Sequence, residues 1–75
     1  MPNFSILNVF IKNLERIRIE RGITQVELAD LLGTKQGNIS RLLSGSEDLR
    51  ISRCQRIAEK LRVPLVEMLE ERIVA

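Results

Sequence analysis

The 75-residue sequence predicts an all-α fold, a compact five-helix bundle that contains a helix-turn-helix. Three observations carry that expectation. Aliphatic residues recur three and four positions apart along most of the chain, without the sustained alternation that strands require. Gly22, Gly33, Gly45 and Pro64 fall where such helices should stop or start. Finally, TQVE at 24–27 is a capping box placed ahead of an apolar run.

The first helix is expected over about residues 5–21. Ile6, Phe10, Leu14 and Ile17 form one apolar stripe, Ser5 can cap the start, and Gly22 stops it in a left-handed conformation. Residues 1–9 read either as an N-terminal arm or as an extension of this helix. In the second helix Thr24 and Glu27 satisfy each other's end of the backbone, and Ile23 with Leu28 makes a hydrophobic staple. Leu28, Leu31 and Leu32 are expected to face inwards, and Gly33 to end the element. A fourth helix spans about 51–61, with Ile51, Cys54, Ile57, Ala58 and Leu61 inside. Pro64 opens a fifth, which carries Leu65, Met68, Leu69 and Ile73. With no repeat, low-complexity run or linker, 1–75 reads as a single domain.

Between the second and fourth helices lies GTKQGNISRLLSG, at 33–45. Its glycines, lysine and hydroxyls suggest a phosphate-cradling loop, but a Walker-type loop needs G-x-x-x-x-G-K-[ST] after a buried strand. Neither the spacing nor a strand is present. Ile39 and Leu42, three apart with Leu43 beside them, instead mark a short helix launched by a tight turn. Residues 24–44 therefore form a helix-turn-helix unit. Ala29 lets the two helices cross closely, Gly33 makes the turn, and Leu28, Leu32, Ile39 and Leu42 bury the inner faces. Lys35, Gln36, Gly37, Ser40 and Arg41 are left on the outer face of the third helix.

Composition narrows the function. The net charge is only +2, but its placement is uneven. Lys35 and Arg41 are the only charges between Asp30 and Glu47, Arg50, Arg53 and Arg56 follow, and Glu67, Glu70 and Glu71 gather near the C-terminus. One basic end suits a face that meets a polyanion. The chain has no histidine, tyrosine or tryptophan, and its one cysteine, Cys54, has no imidazole to activate it. An enzyme is not expected, nor a Cys/His metal site, nor any cofactor. Cys54 reads as a core residue of a cytoplasmic protein, with no secretory or membrane-spanning pattern.

With LERIRIERGITQVELADLLGTKQGNISRLLSG and IAEKLRVPLVEML in place, the sequence resembles the phage repressor and Cro type of helix-turn-helix domain, the Xre family. The resemblance covers about residues 12–69 and rests on Arg18, Gly22, Thr24, Gln25, Leu28, Ala29, Gly33, Gln36, Ile39, Ser40 and Gly45. It implies a lambda-repressor-like fold that binds double-stranded operator DNA as a homodimer, with the third helix in the major groove. By residue chemistry, the Gln36 amide can pair with adenine, and Lys35 and Arg41 can donate to guanine. Gly37 has two readings: close approach of DNA, or an ordinary weak helix position. For Gln25 the resemblance implies a phosphate contact that also braces Gln36, with Thr24 beside it at a helix N-terminus. Arg18, Asn38, Ser44, Ser46 and Arg50 are further phosphate candidates, whereas Arg53 and Arg56 read as a solvated face.

Two departures from the family pattern stand out. Lys35 occupies a position where the family often has a Ser or Thr cap, so Thr34 is the alternative cap and the helix start is open by one residue. Leu43 replaces a frequent acid that pairs with the arginine matching Arg18, which leaves Arg18 for phosphate or for Glu15 or Glu20. Dimerisation is expected through Leu65, Val66, Leu69 and Ile73, although Leu65 and Leu69 equally fit the completion of a thin core. The rival function is an antitoxin-type module in which a protein partner, such as a toxin, is primary.

Overall fold

The computed structural model describes residues 6–45 and 49–71, which form five helices and no strand. They are α1 (Ile6–Glu20), α2 (Gln25–Leu32), α3 (Gln36–Leu43), α4 (Ile51–Leu61) and α5 (Leu65–Met68). Helix α1 begins at Ile6, and the expected Ser5 cap lies outside the described residues. The fourth helix has the bounds its sequence predicts. Pro64 stands just before α5 as its N-cap rather than within its first turn.

Helices α2 and α3 pack together, α1 against α3 and α5, and α4 against α2 and α5. The core is aliphatic, with Phe10 as its buried aromatic: Leu14, Leu28, Ile39, Leu42, Leu61 and Met68 surround it, and Cys54 is also fully buried. Each such aliphatic side chain contributes about 1.5–3 kcal/mol on leaving water. Ala29 is only 2% exposed, as a close crossing of α2 with its neighbours requires. Leu49, ahead of α4, completes the core.

Two expected core residues are outside it. Leu31 is 43% exposed and Ile51 49%. The buried arc of α2 is centred between Leu28 and Ala29, and at ~100° per residue Leu31 falls beyond its edge. Ile51 shares the azimuth of Ala58, but it is the first residue of α4, beyond the last buried layer at Cys54.

Three helices end in one way. The residue after α2, Gly33, is left-handed at φ 70°, ψ 34°, and the amides of Gly33 and Thr34 reach back to the carbonyls of Asp30 and Ala29. Gly22 closes α1 with the same pair of bonds, to Ile19 and Arg18. After α4 the role falls to Arg62, at φ 58°, where a side chain costs about 1–2 kcal/mol relative to glycine. Asn13, a buried polar residue in α1, donates its amide to the carbonyls of Met68 at 2.7 Å and Glu70 at 2.9 Å. It thereby satisfies carbonyls at the end of α5 that no further helical turn would reach.

Candidate nucleic-acid interface

The start of α2 is held by local chemistry. Thr24 Oγ1 accepts from the Glu27 amide at 3.1 Å, and the Thr24 amide donates to Glu27 Oε1 at 2.9 Å. The two Thr24 bonds stabilise the Glu27 carboxylate and lower its pKa. Arg18 fixes the entry to α2: its guanidinium pairs with Glu15 and donates to the Ile23 carbonyl at 2.8 Å. The bond to Glu15 raises the pKa of Arg18. Between the two acids offered by the sequence, Arg18 pairs with Glu15, while Glu20 pairs with Arg16 at 3.1 Å.

The sharp turn then delivers α3. Its N-cap is Lys35, without a side-chain cap bond. Thr34 does not serve as the alternative, because its hydroxyl instead accepts from Asn38 Nδ2 at 2.8 Å. The helix thus starts at Gln36, and a lysine at its positive end costs a few tenths of a kcal/mol, up to about 1 kcal/mol. Ile39 and Leu42 are buried, while Lys35, Gln36, Gly37, Ser40 and Arg41 are all exposed. At ~100° per residue, Gln36, Gly37, Ser40 and Arg41 fill an arc of roughly 140° opposite that apolar pair. No acid lies on this helix.

Two side-chain links organise the exposed face. Gln36 Nε2 donates to Gln25 Oε1 at 3.3 Å, joining the first residues of α2 and α3. The bond uses one of the two amide hydrogens of Gln36 and leaves an N–H and the carbonyl oxygen for adenine N7 and N6. On the flank, the Arg41 guanidinium donates to Asn38 Oδ1, and Asn38 in turn donates to Thr34. Ser44 Oγ donates to the Arg41 carbonyl at 2.9 Å, at the end of α3. Gly37 has nothing within 4 Å of the place a Cβ would take, so no neighbour in the chain requires glycine there.

Arg50 is exposed at the N-cap of α4, and Ser46 lies outside the described residues. Val66 is 62% exposed, whereas Leu65 and Leu69 are partly buried against the core; Ile73 lies outside the described residues. The partner of Asn13 is not legible in the sequence, because a lone polar residue in an amphipathic helix carries no mark of a partner 55 positions away. Arg53 and Arg56 are expected on a solvated face. Both line a cleft with Lys60, whose opposite wall forms only once α4 is docked on α2. None of the helices among the described residues is long and apolar enough to cross a membrane.

A family model described as helix-turn-helix matches residues 14–68, most of the chain. No individual curated protein matches it closely enough to stand as a relative.

Proposed function

As the chain belongs to the Xre, lambda-repressor-like helix-turn-helix family, we propose that it reads a roughly palindromic DNA operator as a homodimer. It is a DNA-binding regulator of the Xre type; the operator, the dimer, repression and a cytoplasmic location are our reading. The observation that carries it is the outer face of α3, exposed and free of acid, with Gln36 held by Gln25.

In this reading Gln36, Lys35, Ser40 and Arg41 meet base edges, and Gly37 makes room for the duplex. Thr24 and Gln25, at the start of α2, take a backbone phosphate, with Asn38, Ser44 and Arg50 as further contacts. Arg18 serves behind them by fixing the entry to α2 through Glu15 and Ile23. The two α3 helices of the dimer lie about 34 Å apart, one turn of B-DNA. Occupancy then follows protein concentration.

The test is selection from randomised duplex DNA at near-physiological salt, followed by sequencing of what binds. Enrichment of a palindrome with half-sites one turn apart is expected. A single half-site would remove the dimer and keep base readout. No enrichment, with only salt-sensitive binding, would favour the partner-binding alternative of the antitoxin type.

A further inference from the structure

A cleft of about 270 Å³ opens between the C-terminal end of α2 and α4, lined by Leu32, Thr34, Arg53, Arg56, Ile57 and Lys60. Its three cations come from α4 at positions three and four apart, so they stack along one face. Among the described residues that line it there is no carboxylate. Arg56 and Lys60 thus repel each other across one helical turn, and an anion between them would relieve that repulsion. Leu32 and Ile57 supply apolar walls. Thr34 accepts a hydrogen bond from Asn38 and keeps its own hydroxyl hydrogen to donate.

We propose that this cleft binds a small phosphorylated molecule. Arg56 and Lys60 hold the phosphoryl group together with the Thr34 hydroxyl, and the organic part lies against Leu32 and Ile57. A phosphate dianion offers the acceptors that a guanidinium fork, an ammonium and a hydroxyl need. The volume falls just under the usual range of small-molecule sites, about 300–1,000 Å³. It has room for a phosphate with a short chain or a single ring. A concave site with apolar walls suits such a molecule better than the convex backbone of a duplex.

The cleft also has a route to the recognition helix. Thr34 is one end of the chain of side-chain bonds that runs through Asn38 to Arg41. A phosphate that accepts the Thr34 hydroxyl hydrogen polarises and turns the hydroxyl to which Asn38 donates, and through Asn38 it bears on Arg41. Binding in the cleft itself does not depend on the operator reading, so the two stand or fall separately.

The full chain, labelled with ¹⁵N, is titrated with phenyl phosphate against sodium chloride of equal ionic strength. Saturable shifts are expected at the amides of Leu32, Thr34, Ile57 and Lys60 and at the side-chain amide of Asn38. Arg56 and Lys60 are exposed, so the double variant Arg56→Ala, Lys60→Ala should fold and bind phenyl phosphate about tenfold or more weakly, a loss of ~1.4 kcal/mol or more. Lys12→Ala, which removes an exposed cation on α1, should bind as the parent does. Shifts that fail to saturate, or that chloride reproduces, would overturn the site. So would shifts centred on Thr24 and Gln25. Unchanged phenyl phosphate binding by the double variant, with a shallower salt dependence on scrambled duplex, would give these cations to the DNA backbone instead.

Discussion

At the scale of single residues, the proposed interface depends on how two glutamines share one hydrogen bond. Gln25 holds Gln36 at 3.3 Å, a long and exposed contact that orients more than it stabilises. On a selected operator Gln36→Ala should therefore lose ~1–3 kcal/mol of binding, with little change on scrambled duplex. If Gln25 acts mainly through Gln36, Gln25→Ala should cost almost nothing further in the Gln36→Ala background. Titration of all four proteins on one operator measures that coupling, and additive losses would give Gln25 an independent phosphate contact. Gly37 separates folding from binding in the same way. With open space where its Cβ would go, Gly37→Ala should stabilise the helix by up to about 1 kcal/mol. Thermal unfolding should rise while operator affinity falls, because in the proposed complex the added methyl occupies the surface that meets the duplex. A gain in stability with unchanged affinity would make Gly37 an ordinary weak helix position.

At the scale of elements, the capping box of α2 links folding to pH. The Thr24 bonds lower the Glu27 pKa from its usual 4.5, so the unfolded chain binds that proton more readily than the folded one. The stabilisation is present above the ordinary carboxylate range and is lost as pH falls through the lowered folded value. Glu27→Gln can still accept the Thr24 amide but does not titrate. Between about pH 5 and pH 3 its melting temperature should fall less than the parent's, and parallel curves would show that the carboxylate charge adds nothing. The box, the Gly33 turn and the Ile39–Leu42 pair were all legible in the sequence, because each is decided by neighbours within one or two helical turns. Other features depend on what packs beside the helix. Leu31 has the right residue type but lies off the buried arc. Arg62 closes α4 in a left-handed conformation that local preference assigns to glycine, and the whole bundle must hold it there. The outer face of α3 could be read ahead of the structure since two buried residues on an eight-residue helix determine the rest. The cleft could not, since Leu32 and Thr34 reach Arg56 and Lys60 only through the packing of α2 on α4.

At the scale of the whole molecule, the ends of the described chain are tied by Asn13. Its amide joins α1 to the carbonyls after α5 at 2.7 and 2.9 Å, from a position only 4% exposed. Asn13→Ala leaves those acceptors without their donor and should cost ~1–3 kcal/mol, or some 4–8 °C in melting temperature for each kcal/mol in a domain of this size. That tie holds α5 in place, and among the described residues of the proposed dimer surface Val66, on α5, is the well-exposed apolar side chain, at 62%. Leu65 and Leu69 already pack partly on the core, so a substitution at either would confuse folding with association. Val66→Glu avoids the difficulty. It should leave the unfolding of the dilute monomer nearly unchanged, yet place a carboxylate beside Glu67 and Glu70 in an interface that has to desolvate them. Sedimentation at tens of micromolar should show a dimer for the parent and a monomer for Val66→Glu. Affinity for a palindromic operator should fall about tenfold or more, or ~1.4 kcal/mol and above, while affinity for an isolated half-site stays the same. An unchanged dimer in Val66→Glu would move the association surface off α5. Equal losses on half-site and palindrome would mean that the substitution had reached the reading head, not the partner subunit.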